Sequence, residues 1–389
     1  MSWQLVALVI GVAVTVVPPR RVPAYAAAAA VAVVAVIVQV VPLAAFDDAL
    51  DALAEPLAFL LVAVPLAVVL DDVGFFASLA ALVDGGRHLR LGLWALAAAV
   101  TVLFNLDAAV VLLTPLYVRL AHRHGDDPLA LAFIPALLAS LASTALPVSN
   151  LTNLIVAGPL DLDARDFLVQ AAPAAIAATV VGWFAYRRAF AAPELVRVDD
   201  ERPDRRALRI GAPVVVWLLV GFTVGERLGV PAWVVALVAL LGLVAVTHRL
   251  PWRSTPLGPA VLALALGTLA VAAAPGLHID RLLGVDGVGG EVATFGGAVL
   301  GANLMNNLPA VVVSLPALQE HPDRVWAVLL GVNVGPTLWA TGALSTLLWQ
   351  STMSRLGHPV SARRYASIGW RVGIPALLTA LAVRMVLAA

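Results

Sequence analysis

The stretches FNLDAAVVLLTP (residues 104–115) and MNNLPAVVVSLP (residues 305–316) place amide and carboxylate side chains inside strongly apolar sequence. When Pro115 is laid over Pro316, Asn105 falls on Asn306, and both stretches run through Ala-Val-Val to a hydroxyl residue and the proline. Each is followed by a second small polar patch, at residues 149–153 and 342–346. Asparagine and aspartate are costly in hydrocarbon, so they indicate function there. Their recurrence in both halves is typical of transporters built from structural repeats.

The composition indicates a polytopic membrane protein. Apolar residues make up 61% of the 389 residues, charged residues make up only 12%, and the mean hydropathy is +0.96. Soluble domains carry about 25% charged residues. All 24 basic residues are arginine, 24 acidic residues balance them, and cysteine is absent. The sequence therefore excludes disulfides, thiolate metal sites and cysteine nucleophiles, and no basic tract points to nucleic acid.

Apolar runs predict about ten membrane spans. They are residues 3–18, 24–43, 56–70, 128–157, 166–186, 210–224, 229–247, 256–274, 325–350 and 367–387. Arginine clusters in the connecting segments place 19 of the 24 arginines on one face, which is cytoplasmic by the positive-inside rule. The loops of the other face are predicted to carry the acidic residues Asp47, Asp48, Asp51, Glu55, Asp161, Asp163 and Asp166.

Residues 91–120 and 291–320 are predicted to form re-entrant hairpins. The first stretch has arginines at both ends, so both ends are cytoplasmic and the chain must enter the membrane and return. Each arm has about 15 residues, or about 22 Å at 1.5 Å per residue, which is too short to cross about 30 Å of hydrocarbon. The tips fall at residues 105–107 and 303–307.

Three spans, a hairpin and two spans then make up each half of the chain. Because each half contains an odd number of crossings, the second half is inverted relative to the first, and the two tips meet near the midplane. The predicted fold is an all-α polytopic membrane protein with an inverted repeat, two re-entrant hairpins and two broken helices. The predicted parts are scaffold spans 1–90 and 210–290, transport-unit segments 91–188 (broken span 128–157) and 291–389 (broken span 325–350), and a cytoplasmic linker 189–209.

Local motifs resemble those of the ArsB-type arsenite permeases. Residues 70–76, LDDVGFF, resemble their acidic pair before Gly-Phe-Phe, and residues 303–309, NLMNNLP, resemble their Asn-Asn-(Leu/Met)-Pro element. Residues 331–336, GVNVGP, and 341–349, TGALSTLLW, resemble their Gly-x-Asn-x-Gly-Pro and Gly-Ser-Leu-Ala-Thr-Leu-Leu-Trp run. The layout is similar to the ion transporter superfamily, which also includes NhaD-type sodium/proton antiporters and divalent-anion/sodium symporters. The chain departs from the family at Ala343, where members usually have Ser, and at the Asn105-Leu106-Asp107 tip, where they have an Asn-Asp type.

The resemblance implies a multi-pass protein of the inner (plasma) membrane that exports arsenite or antimonite in exchange for protons by alternating access, without a cofactor. Arsenite at neutral pH is mostly uncharged As(OH)₃, which needs hydrogen-bond donors and acceptors rather than a cationic clamp. Asn, Ser and Thr supply both, and no arginine lies at either tip. The candidate substrate-binding residues are Asn105, Ser149, Asn150, Thr152, Asn153, Asn303, Asn306, Asn307, Asn333, Thr337, Thr341 and Ser345.

Asp107 is the favoured coupling residue because it is the only acid at a tip. Burial disfavours the charged form of a carboxylate, so this side chain is suited to load and release a proton or to neutralise a bound sodium ion. The alternative is that Asp107 only caps the returning arm of the hairpin. Asp71 and Asp72 are the second coupling candidates, although helix capping at the cytoplasmic surface is the simpler interpretation of this pair.

Other functions stay open at this stage. One is a sodium- or proton-coupled carrier of another substrate, such as a carboxylate or sulfate, which helix N-termini at the tips would hold; another is a sodium/proton antiporter. A membrane-embedded enzyme or scaffold is disfavoured because no catalytic constellation lies at depth. The expected partners are the bilayer, a second copy through the scaffold and, as the resemblance allows, a cytosolic ATPase docked at residues 196–209. No metal or proton-relay role is assigned to the histidines, which are predicted to lie in loops at His88, His122, His124, His248, His321 and His358 and near one at His278.

Overall fold

The computed structural model describes residues 2–17, 19, 22–82, 88–190, 203–225, 228–249 and 251–388. In these ranges the regular structure consists of nineteen α-helices and short 3₁₀ turns, without a β-strand. The first ten helices are α1 Trp3–Val16, α2 Ala24–Ile37, α3 Ala44–Asp72, α4 Phe75–Leu82, α5 Leu89–Phe104, α6 Leu106–His124, α7 Pro128–Leu141, α8 Leu151–Ala157, α9 Ala164–Gln170 and α10 Ala172–Ala189. The other nine are α11 Arg205–Val224, α12 Ala232–Thr247, α13 Leu257–Ala273, α14 Ile279–Leu283, α15 Gly287–Met305, α16 Asn307–Glu320, α17 Val325–Val334, α18 Leu344–Arg355 and α19 Ala362–Ala388. The predicted all-α class is confirmed.

Several helices are long and apolar enough to cross a membrane. Within the described ranges these are α3, α11, α13 with its 3₁₀ extension to Gly276, and α19. The pair α9 and α10, bent by 52°, makes a fifth when counted as one span. Helices α1, α2, α5, α7 and α12 are shorter but also apolar. On α11, Val216, Trp217 and Val220 are exposed, and such an apolar face is compatible with lipid rather than water. The polytopic membrane class is therefore confirmed as well.

Two helical hairpins form where single residues interrupt the helices, between α5 and α6 and between α15 and α16. Tyr117 on α6 donates its hydroxyl to the carbonyl of Leu93 on α5 at 2.6 Å. A continuous helix would hold these two residues about 36 Å apart, so α6 returns along α5. A methyl group at Gly301 on α15 would lie 3.6 Å from the Cβ of Ala310 on α16, so α16 returns along α15. The hairpins span residues 89–124 and 287–320, slightly more than predicted.

Two interrupted helices lie in the ranges predicted for the broken spans. Helix α7 ends at Leu141 and α8 begins at Leu151, with a 3₁₀ turn at 147–149 between them. Helix α17 ends at Val334, a 3₁₀ turn follows at 335–337, and α18 begins at Leu344. Each 3₁₀ turn contains a proline, which has no backbone N–H to continue an α-helix. Residues 142–150 and 335–343 therefore interrupt the α-helices.

The helices pack in two groups. Helices α1, α2, α3, α11, α12 and α13 pack mainly with one another. In the second group α10 packs along α19, α6 along α7 and α18, and α15 along α17. The groups meet where α13 packs on α16 and where α3 packs on α6 and α8. Most of the predicted linker, residues 191–202, lies outside the described residues, so the proposed ATPase-docking stretch is described only from residue 203 onward.

The structure corrects the start of the third span. The apolar run was predicted to begin a span at residue 56, and the acidic residues within 47–55 were predicted to lie in an external loop. Instead α3 begins at Ala44 and runs through Pro56 and Pro65 to Asp72. Asp47 lies in the first helical turn, where a negative charge interacts favourably with the helix dipole. The acidic residues from Asp47 to Glu55 are therefore helical.

Candidate functional site

The first hairpin tip is made by Asn105. Its backbone has φ 85° and ψ 152°, and its side-chain oxygen accepts a hydrogen bond from the backbone N–H of Asp107 at 2.9 Å. Asn105 thus ends α5 and caps α6 at the same time. Asp107 is one residue inside the helix, so the alternative in which Asp107 is the cap is wrong. Asn tolerates positive φ better than most residues, which accounts for its position at so sharp a turn.

Buried polar atoms at this first tip have no hydrogen-bond partner among the described residues. They are Nδ2 of Asn105, Oδ1 of Asp107 and, one helical turn earlier, Oγ1 of Thr101. Asn105 is fully buried and Asp107 is 6% exposed. Leaving such a group unpaired costs about 1–3 kcal/mol, so these atoms are the places where an added ligand or ion would gain most.

One more predicted residue with an unpaired buried hydroxyl lies at the start of α18, a helix that packs against α6. Ser345, at the start of α18, is 1% exposed, and its hydroxyl lacks a partner among the described residues. Helix α6 packs against α18, and the far ends of the two helices meet at His122 and His358. The two helices therefore run in the same direction, although α6, with 19 residues, begins further from that shared end than α18, with 12 residues. Ala343 precedes α18 and provides no side-chain cap. The first backbone N–H groups of α18 therefore donate no hydrogen bond to a capping side chain.

The second tip has the same backbone but is hydrogen-bonded to its surroundings. Asn306 has φ 78° and ψ 152°, and its side-chain oxygen accepts from Leu308 N–H at 3.3 Å. Its amide donates to the carbonyl of Thr341 at 3.4 Å, and the N–H of Asn307 donates to the carbonyl of Gly342 at 2.9 Å. Thr341 donates its hydroxyl to the carbonyl of the preceding arm at residue 303, at 3.2 Å. This tip is docked on the break of the second interrupted helix.

A buried amide network joins the two interrupted helices. Asn333 Oδ1 accepts from Asn150 Nδ2 at 2.8 Å and from Thr152 Oγ1 at 2.6 Å, while Asn333 Nδ2 donates to Asn153 Oδ1 at 2.7 Å. Asn150 also caps α8 through the N–H of Thr152, at 3.2 Å. These four predicted residues come together, but they satisfy one another. The geometry therefore favours a bracing role for them.

The remaining predicted residues stand in different settings. Asn303 donates to the carbonyls of Val299 at 2.9 Å and Gly335 at 3.0 Å. Ser149 bonds within its own turn to the carbonyls of residues 143 and 146, and Thr337 bonds to that of residue 334. Asp71 and Asp72 form the last turn of α3, where half-exposed Asp72 lies 3.8 Å from Arg249. The structure does not bring this acidic pair to either tip.

Sequence reasoning missed two buried ionic clusters, one at the base of each hairpin. Arg90 on α5 donates to both carboxylate oxygens of Asp126, at 2.9 and 2.5 Å. On the second hairpin, Glu291 accepts from Arg324 at 2.9 Å and from Arg384 of α19 at 2.6 Å. Glu291 follows Arg90 by 201 residues, the same offset that relates Asn306 to Asn105. That shared offset, with the charge reversed, is the sequence signal that would have found them.

Loss of Arg90 should strongly destabilise the protein. The Arg90→Ala variant leaves the side chain of Asp126, which has no exposed surface, as an unpaired buried charge, and this costs about 3–5 kcal/mol. Thermal unfolding of the purified protein in detergent measures the effect. Arg249→Ala is the matched control, because its pair with Asp72 is about half exposed on both sides and is expected to contribute at most about 1 kcal/mol. Equal melting temperatures for the two variants would contradict a stabilising role for the Arg90–Asp126 ion pair.

A cavity of about 480 Å³ lies between the two packing groups. One wall comes from α3, α11 and the start of α12, and the other from the first break and from the segment joining α8 to α9. Pro147 and Val148 of the break line it. The carboxylates on its lining belong to Glu55, Asp161, Asp163 and Asp166, and none of the described lining residues is basic. The cavity therefore combines access to the break with an acidic wall.

Comparisons with known proteins agree on a membrane transporter. A family model described as citrate transporter matches residues 4–344. The arsenical pump membrane protein of Escherichia coli (strain K12) is 30% identical over 360 residues, covering 82% of this chain and 84% of the relative. That of Yersinia enterocolitica is 31% identical with the same coverage, and that of Shigella flexneri is 30% identical. These relatives are named as membrane transport proteins and not as enzymes. The chain thus belongs to the citrate transporter family, as a multi-pass inner-membrane protein similar over most of its length to arsenical pump membrane proteins.

Proposed function

We propose that this protein exports arsenite and antimonite, as the neutral trihydroxides, in exchange for protons by alternating access. The observation that carries the proposal is the pair of unpartnered, buried polar atoms at the first tip, on Asn105 and Asp107, together with the unpartnered hydroxyl of Ser345 at the start of the neighbouring helix α18. Amide and hydroxyl groups donate and accept hydrogen bonds, which matches a small uncharged solute with three hydroxyl groups. The relatives named as arsenical pumps support the same substrate.

The proposed architecture is an inverted repeat with two re-entrant hairpins. Its support comes from matched features in the two halves. Asn105 and Asn306 share positive φ, an extended ψ and the same capping bond to the residue two positions on. Arg90 and Glu291 hold the corresponding bases of the hairpins. An interrupted helix follows each hairpin in the chain. Because the spans predicted between them reverse direction, the hairpins enter from opposite sides of the membrane.

Alternating access would come from movement of one packing group against the other. The group containing both hairpins and both interrupted helices is the proposed transport unit, from residues 91–188 and 291–389. The group containing α1–α3 and α11–α13 is the proposed scaffold and the proposed surface for a homodimer. The amide network between Asn150 and Asn333 supports movement of the interrupted helices as one body. The acidic cavity between the groups is suited to be the route from the external face to the first break.

A carboxylate carrier is the second candidate, because the matching family model is described as citrate transporter. The acidic cavity disfavours it for this chain. Four carboxylates on the walls repel a multiply charged anion through a region where screening by solvent is reduced, whereas a neutral trihydroxide and a proton are not repelled. Sulfate is disfavoured by the same argument.

Everted membrane vesicles test the proposal. With an acidic lumen, vesicles that contain the protein should accumulate radiolabelled arsenite severalfold above vesicles that lack it. A protonophore should remove the difference, and excess citrate in the medium should not compete. Accumulation driven by an imposed sodium gradient alone would assign sodium as the coupling ion. Arsenite levels equal to the empty vesicles, with citrate transported instead, would overturn the proposed substrate.

Cysteine labelling should place the two hairpins on opposite sides of the membrane. Single cysteines at 88 and 122 in this naturally cysteine-free chain flank the first hairpin, and both should react with an impermeant maleimide from the cytoplasmic side only. Cysteines at 286 and 320 flank the second hairpin and should react from outside only. Labelling of 88 and 122 from opposite sides would mean that α5 and α6 cross the membrane, contrary to the re-entrant arrangement.

A further inference from the structure

Two histidines from opposite halves of the chain meet at one surface. His122 lies in the last turn of α6, and His358 follows α18 in the segment before α19. Their Nε2 atoms are 3.3 Å apart although 236 residues separate them in sequence. The sequence placed His122 and His124 in loops, but α6 continues through His124. His122 is exposed, so the pair is accessible from solvent.

The Nε2 separation of 3.3 Å matches that of two imidazoles bound to one metal ion. A direct hydrogen bond between the rings at this distance would be longer than the common value of about 2.9–3.0 Å. Two imidazoles bound to one tetrahedral Zn²⁺ at about 2.0–2.1 Å hold their nitrogens about 3.3–3.4 Å apart. The ring centroids lie 5.4 Å apart with an interplanar angle of 35°, so the rings are tilted and not stacked. The Nε2 separation is therefore compatible with one ion bound by both histidines.

The backbone fixes His358 in this position before any ion binds. Gly357 has φ +83°, the left-handed conformation that ends many helices. The N–H of His358 then donates to the carbonyl of Met353 at 2.9 Å, as in a Schellman motif. His122 is held by the helical backbone of α6. A ligand pair fixed in this way loses little conformational entropy on binding.

Some of the surrounding charges favour a bound cation and others oppose it. The C-terminal ends of α6 and α18 converge here, and their free carbonyls carry partial negative charge that favours a cation. Arg123 and Arg355 are close in sequence and act against it, although Arg355 donates to the hydroxyl of Thr352 at 3.2 Å. Among the described residues, no cluster of three or more metal-ligating side chains occurs, so water would complete the coordination. The balance predicts a modest, exchangeable site.

We propose that His122 and His358 form a binding site for a divalent transition metal ion of the zinc class, which bridges the first hairpin to the end of α18. The site lies at the far ends of α6 and α18 from the first tip and does not depend on the identity of the transported substrate. Its ligands are neutral imidazoles, so protons compete with the metal. A bound ion would tie the two halves of the chain together at this surface.

Calorimetric titration of the full-length protein, purified without a polyhistidine tag, tests the site with ZnCl₂. We expect about one site per chain at pH 7.5, at least tenfold weaker binding in His122→Asn and in His358→Asn, and loss of binding at pH 5.5. His248→Asn is the matched control, because His248 is exposed at a positive-φ helix end that Asn accepts. Its zinc affinity should equal that of the unmodified protein.

Two further measurements separate a lost ligand from a misfolded variant. His122→Cys supplies a thiolate, a stronger zinc ligand than imidazole, and should bind zinc at least as tightly as the unmodified protein. The electron paramagnetic resonance spectrum of bound Cu²⁺ should show coordination by two nitrogens, falling to one in either Asn variant. Zinc affinity that stays unchanged in both Asn variants, or a copper spectrum without two nitrogens, would overturn the proposal.

Discussion

Replacement of Asp107 by Asn should abolish arsenite accumulation driven by a pH gradient while leaving exchange of arsenite across the membrane intact. The substitution keeps the shape of the side chain and fixes it in a neutral form that mimics the proton-loaded carboxyl. In everted vesicles with an acidic lumen, the severalfold accumulation expected for the unmodified protein should fall to equilibration. Preloaded vesicles should still exchange unlabelled for labelled arsenite at a comparable rate.

The environment of Asp107 gives the physical reason. Its side chain is 6% exposed, and one carboxylate oxygen has no hydrogen-bond partner among the described residues. A charged group at the membrane centre costs about 2.5–3.5 kcal/mol on insertion scales, so a carboxylate there favours a proton or a cation. Because Asn105 already caps α6, Asp107 is not needed to begin the helix. The proposed coupling role would account for that cost.

Variants of three other acidic residues test whether the effect is specific to Asp107. Asp48→Asn changes an exposed residue on α3 and should leave both accumulation and exchange unchanged. If Asp107→Asn still builds a gradient of arsenite in response to the pH difference, the coupling role belongs elsewhere. Asp71→Asn and Asp72→Asn would then be the next variants to measure. If Asp107→Asn loses exchange as well as accumulation, Asp107 contributes to substrate binding and not only to coupling.

The features that could be predicted from sequence are those determined by residues close together in the chain. A polar tip between two apolar arms of about 15 residues, with arginines at both ends of the first stretch, predicts a hairpin, and the structure turns at Asn105 and Asn306. The interrupted helices were predictable for the same reason, since small polar residues and a proline break an apolar run. In both cases the local cost of helix propagation decides the conformation.

The features that escaped prediction depend on residues far apart in the chain. Asn333 pairs with Asn150 across 183 positions, so sequence indicated polar residues but not that they satisfy one another. Glu291 and Arg384, 93 positions apart, form a buried pair, which no apolar pattern along the chain predicts. The start of α3 was missed because the span was assigned only to the apolar run from residue 56, whereas α3 also includes the acidic residues before it. Which asparagines remain free for a ligand could only follow from tertiary contacts.

Asn105→Gly should reduce arsenite transport by about 5- to 150-fold while leaving the hairpin folded. Loss of a hydrogen-bonding side chain from a dry site costs about 1–3 kcal/mol, and each 1.4 kcal/mol is a factor of ten. Glycine adopts positive φ without strain and costs a helix cap only a few tenths of a kcal/mol. Alanine would add backbone strain of about 1–3 kcal/mol at φ 85°. Glycine therefore isolates the role of the amide in initial rates of arsenite uptake.

Asn306→Gly is the matched comparison, because the second tip has nearly the same backbone and the same cap. Its amide already donates to the carbonyl of Thr341, whereas Nδ2 of Asn105 has no partner among the described residues. The Asn306 variant should therefore lose less transport and more thermal stability than the Asn105 variant. If both variants lose transport equally with unchanged melting temperatures, the two tips contribute alike to the substrate site. Full transport in Asn105→Gly would show that the free amide of Asn105 does not bind the substrate, and would exclude the first tip from that site.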